Sequence, residues 1–254
     1  MLFKHIIARK PGKSFIKGIT TANEGLPDYP LALRQHEAYI TVLKKCGVAA
    51  TVLEAEEQFP DSCFVEDTAI VKDKMAIITL PGAKSRQGEE ALMKKGLKNF
   101  FETIEEIKSP GTVDGGDVMM VDNHFYIGIS ARTNEAGAKQ LMNLLKKYGY
   151  TSSAIKVAEG LHLKSGMAYL ENNNLLITKQ FSHLPDFKKF NLLIVDEKEN
   201  YSANCIWVND SVVVPAGYEA TKEKIELAGY KTETVDASEF RKLDGGLSCL
   251  SLRF

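Results

Sequence analysis

Residues 64–79 read FVEDTAIVKDKMAIIT, in which two apolar runs flank the polar residues Lys72, Asp73 and Lys74. Short apolar runs joined by a tight polar turn are typical of a β-hairpin. The same arrangement returns in GGDVMMVDNHFYIGI (115–129), GMAYLENNNLLIT (166–178) and NCIWVNDSVVVPAGY (204–218). Their predicted turns contain Asp122, Asn123 and His124, then Asn172, Asn173 and Asn174, then Asn209 and Asp210. The chain therefore repeats one kind of hairpin.

Helical periodicity follows three of these hairpins, in GEEALMKKGLKNFF (88–101), NEAGAKQLMNLLKKYG (134–149) and ATKEKIELAG (220–229). A single further strand then follows, as in KTETVD (231–236). The repeating unit is therefore strand, strand, helix, strand. Its period of roughly 40 to 50 residues is typical of radial or stacked architectures.

A fifth copy is divided between the two ends of the chain. FKHIIAR (3–9), YPLALRQHEAYITVLKKCG (29–47) and ATVLEA (50–55) supply most of it, and GGLSCLSLRF (245–254) supplies the missing strand. Pairing of the first and last strands closes a ring and removes exposed sheet edges. We therefore predict an α/β fold in which residues 1–254 form a single domain.

Composition limits the function. The chain has 254 residues, a net charge of -1 and scattered lysines, which argues against nucleic acid or an anionic membrane as partners. No apolar stretch approaches the roughly 18 residues of a membrane span, and the first ten residues carry no cleavage site. The four cysteines lack disulfide or zinc-site spacing. We expect a cytoplasmic protein with reduced thiols, no metal and a small-molecule partner.

A polar or glycine-rich stretch lies just before or within the first strand of each repeat. These stretches are PDSCFVED (60–67), GTVDGGD (111–117), LHLKSG (161–166), SANC (202–205) and LDGGLSC (243–249). In a ring of repeats these equivalent positions converge on the central axis. Together they offer a thiol, an imidazole and several carboxylates, which suits nucleophilic catalysis on a cationic substrate. The residues are Cys249, His162, Asp61, Glu66, Asp67, Asp114, Asp117 and Asp244.

The motifs also carry a resemblance, which runs from near residue 3 to residue 254. FKHIIAR, FPDSCFVEDTAI, PGTVDGGDVMMV, HFYIGISARTN, LHLKSGMAYLE, NNLL, ANCIWVN, PAGY and DGGLSCLSLRF occur in this order. In these stretches the chain resembles bacterial-type dimethylarginine dimethylaminohydrolases of the guanidine-modifying, or amidinotransferase, superfamily. The resemblance implies a five-bladed α/β propeller (the pentein fold) of ββαβ units with pseudo-fivefold symmetry. It also implies cofactor-free hydrolysis of asymmetric dimethylarginine and monomethylarginine to citrulline and an amine.

The resemblance implies three catalytic residues. Cys249 attacks the guanidinium carbon and forms a covalent thiouronium intermediate. His162 protonates the departing amine and then activates water. Asp114 orients the histidine, at a position where bacterial relatives carry the longer Glu.

The resemblance implies acids and backbone carbonyls for the cationic groups of the substrate. Asp67 holds the guanidinium, with Glu66 beside it. Asp61 takes the α-amino group, helped by backbone carbonyls near Ile19 and Leu243.

Two arginines complete the implied substrate site. Arg86 and Arg132 clamp the α-carboxylate, a task that suits the bidentate fork of a guanidinium. Taken alone, either arginine could equally lie on the surface.

Neighbouring acids should raise the pKa of the Cys249 thiol, so we expect it to rest protonated. The substrate itself would then activate the thiol. A cation about 4 Å away, at an effective dielectric near 20, contributes roughly 4 kcal/mol, or about 3 pKa units.

Two other functions compete with this interpretation. An arginine deiminase-like hydrolase of free arginine, or of another guanidine, shares the cysteine and histidine. Such enzymes follow the histidine with Leu-Asp, whereas this chain has His162-Leu163-Lys164, and a site with one fewer acceptor suits a methylated guanidinium. The second alternative is a non-catalytic propeller that binds a partner, which predicts no Cys/His pair at the axis.

Two structural expectations remain. An exposed propeller face is compatible with a homodimer, although the sequence itself sets no oligomeric state. The stretch PGKSFIKGITTANEG (11–25) is polar and contains glycines, so we expect it to form a mobile lid.

Overall fold

The computed structural model describes residues 2–158 and 160–254. Fifteen strands are described in this part of the chain: β1 (His5–Arg9), β2 (Ala49–Leu53), β3 (Ala69–Lys72), β4 (Met75–Ile78), β5 (Ile104–Glu106), β6 (Val118–Val121), β7 (His124–Ile129), β8 (Thr151–Lys156), β9 (Met167–Tyr169), β10 (Asn174–Thr178), β11 (Asn191–Val195), β12 (Ile206–Val208), β13 (Ser211–Pro215), β14 (Lys231–Val235) and β15 (Leu252–Arg253). The helices are α1 (Tyr29–Lys45), α2 (Glu89–Leu97), α3 (Glu135–Lys147), α4 (Lys179–Ser182), α5 (Glu219–Leu227) and α6 (Ser238–Arg241). Within the described ranges, none of these helices is both long and apolar enough to cross a membrane.

The strands form five three-stranded sheets with one topology. Their orders are β15-β1-β2, β3-β4-β5, β6-β7-β8, β9-β10-β11 and β12-β13-β14. In every sheet the first two strands are antiparallel and the last two are parallel. The predicted ββαβ unit is therefore confirmed, and the molecule is a five-bladed α/β propeller.

The ring closes through the two ends of the chain, as predicted. Strand β15 pairs with β1 in the register Ile6 to Arg253 and Ile7 to Leu252. The hydroxyl group of Tyr39, on α1, donates to the carbonyl oxygen of Leu247 at 2.8 Å. It also lies 2.7 Å from Ser251 Oγ. The first blade therefore holds the segment that contains Cys249 from two sides.

The burial of each strand follows its position in the blade. The middle strands β4, β7, β10 and β13 are almost wholly buried, whereas the outer strands β8, β11 and β14 are half-exposed. A strand covered on both faces reads as a continuous apolar run, which explains sequences such as Val212-Val213-Val214. Apolar clusters also bridge neighbouring blades, for example between Ile6 and Val208.

The hairpin turns use Asp and Asn in the left-handed region. Asp73, Asp122, Asn173 and Asn209 have φ between 52° and 63°, a conformation that these short polar side chains tolerate. Lys72, His124 and Asn174 were predicted as turn residues but lie in strands. Lys72 ends β3, and His124 and Asn174 begin β7 and β10.

The fourth blade in chain order lacks a long helix. Helix α4 is a single turn, followed by a 3₁₀ helix at Pro185–Phe187. The sequence shows no helical periodicity here, and Pro185 ends any continuation. The connection between β10 and β11 therefore consists of two short helical turns in place of one long helix.

Candidate active site

A short 3₁₀ helix lies before the first strand of each sheet. We call these five segments the inner turns: Val65–Thr68, Gly115–Asp117, Leu163–Ser165, Glu197–Ala203 and Ser248–Leu250. Four neighbouring pairs of inner turns pack against each other, in the order Ser248–Leu250, Val65–Thr68, Gly115–Asp117, Leu163–Ser165 and Glu197–Ala203. Each of them overlaps one of the polar stretches picked out from the sequence, so the structure brings those stretches together.

Nine of the ten predicted site residues line one pocket on this ring of inner turns. The tenth, Glu66, is the exception and faces the opposite side. The predicted residues that line the pocket are Ile19, Asp61, Asp67, Arg86, Asp114, Arg132, His162, Leu243 and Cys249.

A second, larger cavity lies on the far side of the inner turns. It has a volume of about 460 Å³ and is lined by the first strands of the sheets, with Glu66, Lys164 and Arg253 among its polar residues. We call it the axial channel. Its position along the inner strands follows from the propeller topology, in which the first strand of each blade lies nearest the axis.

Cys249 lies in the last inner turn and is 9% exposed. The backbone N–H of Gly246 points at its Sγ atom, at 3.4 Å. Burial raises the pKa of the Cys249 thiol to about 12, and the nearby Glu66 and Asp67 carboxylates act in the same direction. The thiol of the free protein is therefore protonated at neutral pH, in line with the sequence argument.

The two glycines before Cys249 are needed for close approach. A Cβ atom on Gly245 would lie 2.2 Å from the ring of Phe64, and one on Gly246 would lie 2.4 Å from the Asn204 side chain. Any larger residue would push the Cys249 turn away from its neighbours. The Gly-Gly pair is thus a packing requirement of the site.

His162 and Asp114 form a buried pair. Nε2 of His162 lies 3.1 Å from Oδ2 of Asp114. Burial tends to lower the pKa of His162, but Asp67, the hydrogen bond to Asp114, and Asp117 together raise it to about 9. The imidazole is therefore protonated at neutral pH, so it carries the proton that a leaving group would need.

The local backbone fixes the position of this pair. A Cβ atom on Gly116 would lie 2.7 Å from His162 Nδ1, so only glycine lets the ring approach. Asp114 Oδ1 accepts from the backbone N–H of Gly82 at 2.8 Å. Although Asp is one methylene shorter than Glu, it therefore reaches the imidazole and keeps a second anchor.

Arg86 is tied to acids at the base of the pocket. Its Nη1 lies 2.6 Å from Asp67 Oδ2, and its Nη2 lies 2.8 Å from Glu89 Oε2. It also donates to the carbonyl oxygen of Phe64 at 2.9 Å. Arg86 thus occupies the carboxylate that the sequence assigned to the substrate guanidinium, and it is not an open clamp. Sequence reasoning missed Glu89, although its spacing of three residues from Arg86 was available.

The other rim of the pocket is formed by Asp61 and the segment around Ile19. Oδ1 of Asp61 accepts from the backbone N–H of Ile19 at 3.0 Å. A Cβ atom on Gly18 would lie 2.8 Å from that carboxylate and 2.9 Å from Leu243. The predicted lid segment therefore lies directly against the pocket, while its mobility stays a prediction.

Asp117 holds the backbone next to His162 through hydrogen bonds. Its carboxylate accepts from the backbone N–H of Leu163 at 2.9 Å and from the Ser130 hydroxyl group at 2.6 Å. Asp117, which the sequence grouped with the other carboxylates of the site, thus caps the turn that follows His162. It lies outside the pocket lining but within electrostatic reach of the imidazole.

Asp67, Asp114 and His162 also lie close enough together to hold a metal ion. Both oxygen atoms of Asp67 already accept hydrogen bonds, from Arg86 and from the Gly116 N–H at 2.9 Å. The arrangement fits a proton-transfer pair beside an anionic subsite better than a ligand set, and the absence of a metal stays a prediction.

Sequence comparison with known proteins identifies the family of the chain. The chain is 51% identical over 254 residues to N(G),N(G)-dimethylarginine dimethylaminohydrolase of Pseudomonas aeruginosa, and the match covers all of both chains. A family model described as "N,N dimethylarginine dimethylhydrolase, eukaryotic" matches residues 23–183. The chain belongs to the dimethylarginine dimethylaminohydrolase family.

Solved structures of dimethylarginine dimethylaminohydrolases have the same fold. The C249S variant from Pseudomonas aeruginosa in complex with citrulline is 50% identical, with a TM-score of 0.99 and full coverage of both chains. An H162G variant that carries an adduct with S-methyl-L-thiocitrulline is 51% identical, with a TM-score of 0.98 and full coverage of both chains. The N-terminal domain of ArgZ, an arginine dihydrolase, shares the fold at 21% identity, with a TM-score of 0.86, 98% coverage of this chain and 96% of that domain.

Proposed function

We propose that the protein hydrolyses asymmetric dimethylarginine and monomethylarginine to citrulline and dimethylamine or methylamine. The observation that carries the proposal is a single pocket in which the Cys249 thiol, the His162–Asp114 pair and the Asp67 carboxylate meet. Membership of the dimethylarginine dimethylaminohydrolase family supports it. So do the variants of the homologous enzymes, made at residues numbered 249 and 162 and seen with citrulline or a thiocitrulline adduct.

The first half of the reaction transfers the amidine carbon to sulfur. Asp67 holds the substrate guanidinium. The positive charge of the guanidinium favours loss of the proton from Cys249. Sγ attacks the guanidinium carbon, and the bond to the methylated nitrogen breaks. The proton of the thiol passes to solvent, and His162 gives its own proton to the departing amine and becomes neutral. The products of this step are dimethylamine and a thiouronium on Cys249.

The second half is hydrolysis of that thiouronium. His162, now neutral after protonating the amine, accepts a proton from a water molecule, which attacks the same carbon. The carbon–sulfur bond breaks, the carbonyl oxygen of citrulline comes from water, and Cys249 regains its proton. Asp114 keeps the imidazole oriented in both halves and stabilises its protonated form.

The two ends of the substrate need different partners. We propose that Asp61 binds the α-amino group together with the carbonyls of Ile19 and Leu243. Arg132 lies half-buried at the pocket, and we propose that it binds the α-carboxylate. We propose that Arg86 joins it only after the substrate guanidinium displaces Arg86 from Asp67, because both cations compete for one carboxylate.

Replacement of Asp61 by asparagine tests the binding of the α-amino group. We expect KM for asymmetric dimethylarginine to rise roughly 10- to 100-fold, while kcat falls less than tenfold, because a charge-assisted hydrogen bond is lost away from the reacting carbon. Steady-state kinetics of Asp61→Asn measure both constants. An unchanged KM would remove Asp61 from the proposed subsite.

The pH dependence of the free thiol tests its resting state. Because burial and the acids raise the pKa of Cys249 to about 12, alkylation by iodoacetamide should accelerate about tenfold per pH unit from pH 7 to 9. A Cys46→Ser background removes the half-buried competing thiol. A plateau with an apparent pKa below about 6 would instead show a resting thiolate.

The catalytic pH profile tests the histidine. Since the pKa of His162 is raised to about 9, we expect kcat/KM to fall as the pH rises through that value and the leaving amine loses its proton donor. A fall centred near pH 6.5, the ordinary value for histidine, would contradict the assignment.

The identity of the released amine tests the reaction itself. Monomethylarginine should give citrulline and methylamine, and in water labelled with heavy oxygen the citrulline should gain one label. A deiminase-like attack would release ammonia and leave methylcitrulline. The Lys164 amino group favours the first outcome, because it pairs with Glu66 at 2.7 Å and position 164 offers the guanidinium no further acceptor.

The proposal extends to the organisation of the protein. Residues 1–254 act as a single catalytic domain on a small molecule in the cytoplasm, without nucleic acid, membrane or cofactor. The net charge of -1 supports this set of partners. A homodimer remains part of the proposal, and light scattering of the purified protein measures it.

A further inference from the structure

The Glu66 carboxylate lies behind the pocket, at the end of the axial channel. The sequence predicted that it stands beside Asp67 at the guanidinium, and the structure places it on the other side of the inner turns. Its Oε2 accepts from the Ser248 hydroxyl group at 2.6 Å. Its Oε1 lies 2.7 Å from Lys164 Nζ and 3.1 Å from Arg253 Nη2. Both carboxylate oxygens of Glu66 are therefore bound by side chains of the protein itself.

Two of these partners belong to the segments that carry the reacting groups. Ser248 immediately precedes Cys249 in the last inner turn. Lys164 lies in the inner turn that begins directly after His162. The buried Glu66 carboxylate thus joins the turn that contains Cys249 to the turn that follows His162. It does so on the side of the turns that faces the axial channel, away from the pocket.

Asn204 closes these contacts into a loop. Its Nδ2 donates to the carbonyl oxygen of Lys164 at 3.0 Å and to Ser248 Oγ at 3.1 Å. Its Oδ1 accepts from the backbone N–H of Ser248 at 2.9 Å. The chain of contacts runs from Glu66 to Ser248, Asn204, Lys164 and back to Glu66. Such a closed set of buried hydrogen bonds permits little independent movement of the two turns.

We propose that Glu66 is a positioning residue that fixes the distance between Cys249 and His162 from the channel side. The inference rests on the proposed function, since it assigns both residues to one reaction. A displacement of 1 Å between reacting groups can lower the rate about 100-fold. The contacts of Glu66 therefore bear on kcat, whereas substrate binding, which takes place on the pocket side, depends on other residues.

The charge of Glu66 provides a second effect that a merely structural residue would not have. Its carboxylate, with Asp67, adds to the effect of burial in raising the pKa of the Cys249 thiol. Loss of this charge also leaves Lys164 and Arg253 without their shared counterion. Both changes favour the thiolate in the free protein.

The variants Glu66→Gln and Ser248→Ala separate position from charge. In Glu66→Gln we expect kcat for asymmetric dimethylarginine to fall roughly 10- to 100-fold with KM within about threefold, and the iodoacetamide profile of Cys249 to move about one unit toward lower pH. In Ser248→Ala, which breaks the loop but keeps the charge, kcat should fall while the alkylation profile stays in place.

Each outcome decides the proposal. A higher KM with unchanged kcat in Glu66→Gln would return Glu66 to the substrate site, and wild-type kcat with an unchanged KM would overturn the inference whether or not the alkylation profile moves. If Glu66→Gln does not fold, wild-type kcat in Ser248→Ala overturns it. If the wild type does not turn over methylated arginines at all, the proposed function fails, while the alkylation profile still tests the effect of Glu66 on the thiol.

Discussion

Replacement of Cys249 by serine is expected to lower kcat for asymmetric dimethylarginine by roughly 10⁴-fold or more. The hydroxyl group keeps the shape of the side chain but is a far weaker nucleophile, and no other thiol lines the pocket among the described residues. Because binding uses other side chains, citrulline affinity should stay within about tenfold. Citrulline release under saturating substrate measures the first quantity, and calorimetric titration with citrulline measures the second.

Cys46→Ser is the matched control for this experiment. Cys46 is half-buried and lies at the end of α1, remote from the pocket. It should retain wild-type turnover. Substantial activity in Cys249→Ser, or equal losses in both variants, would show that the reaction does not depend on the Cys249 thiol.

Replacement of His162 by glycine is expected to lower kcat by roughly 10³-fold, because one imidazole supplies both proton transfers. The glycine also leaves a space bounded by Gly116 and Asp114. Free imidazole should enter this space and restore activity by about tenfold or more. Initial rates with and without added imidazole check both expectations.

His124→Gln is the control for the loss of a histidine. His124 lies at the start of β7 and bonds to Thr151 and Ser153, away from the pocket. It should show neither the loss nor any response to imidazole. A His162→Gly variant with wild-type turnover would assign the proton transfers to another group.

The architecture could be predicted because its determinants are local and repeated. Each hairpin combines apolar runs with Asp or Asn at a turn that requires positive φ, and the pattern recurs at a constant period. Ring closure followed because one repeat was divided between the two ends. Helix α4 could not be placed, since a single helical turn leaves no periodicity to detect.

The site could be predicted as a group of residues, but not as a set of directions. Glu66 and Asp67 are adjacent in one 3₁₀ helix, where successive side chains point about 120° apart. One therefore faces the pocket and the other faces the axial channel. The sequence holds no information about which of the two acids faces the substrate until the neighbouring turns are in place.

Competition among charged groups was equally hidden. Arg86 was expected to clamp the substrate α-carboxylate, yet Asp67 and Glu89 pair with it, because a guanidinium buried without substrate needs counter-charges. Asn204 carried no chemical signature in the sequence, although it connects Lys164 to Ser248. Such roles arise from the contacts between blades.

The most direct test of the account is the ratio of kcat/KM for asymmetric dimethylarginine to that for arginine, measured side by side as citrulline release by the wild type and by Cys249→Ser. The account predicts that the wild type prefers the methylated substrate by at least about tenfold and that both activities vanish with the thiol. Preference for arginine would contradict the argument from Lys164, and turnover of neither substrate would contradict the proposed reaction.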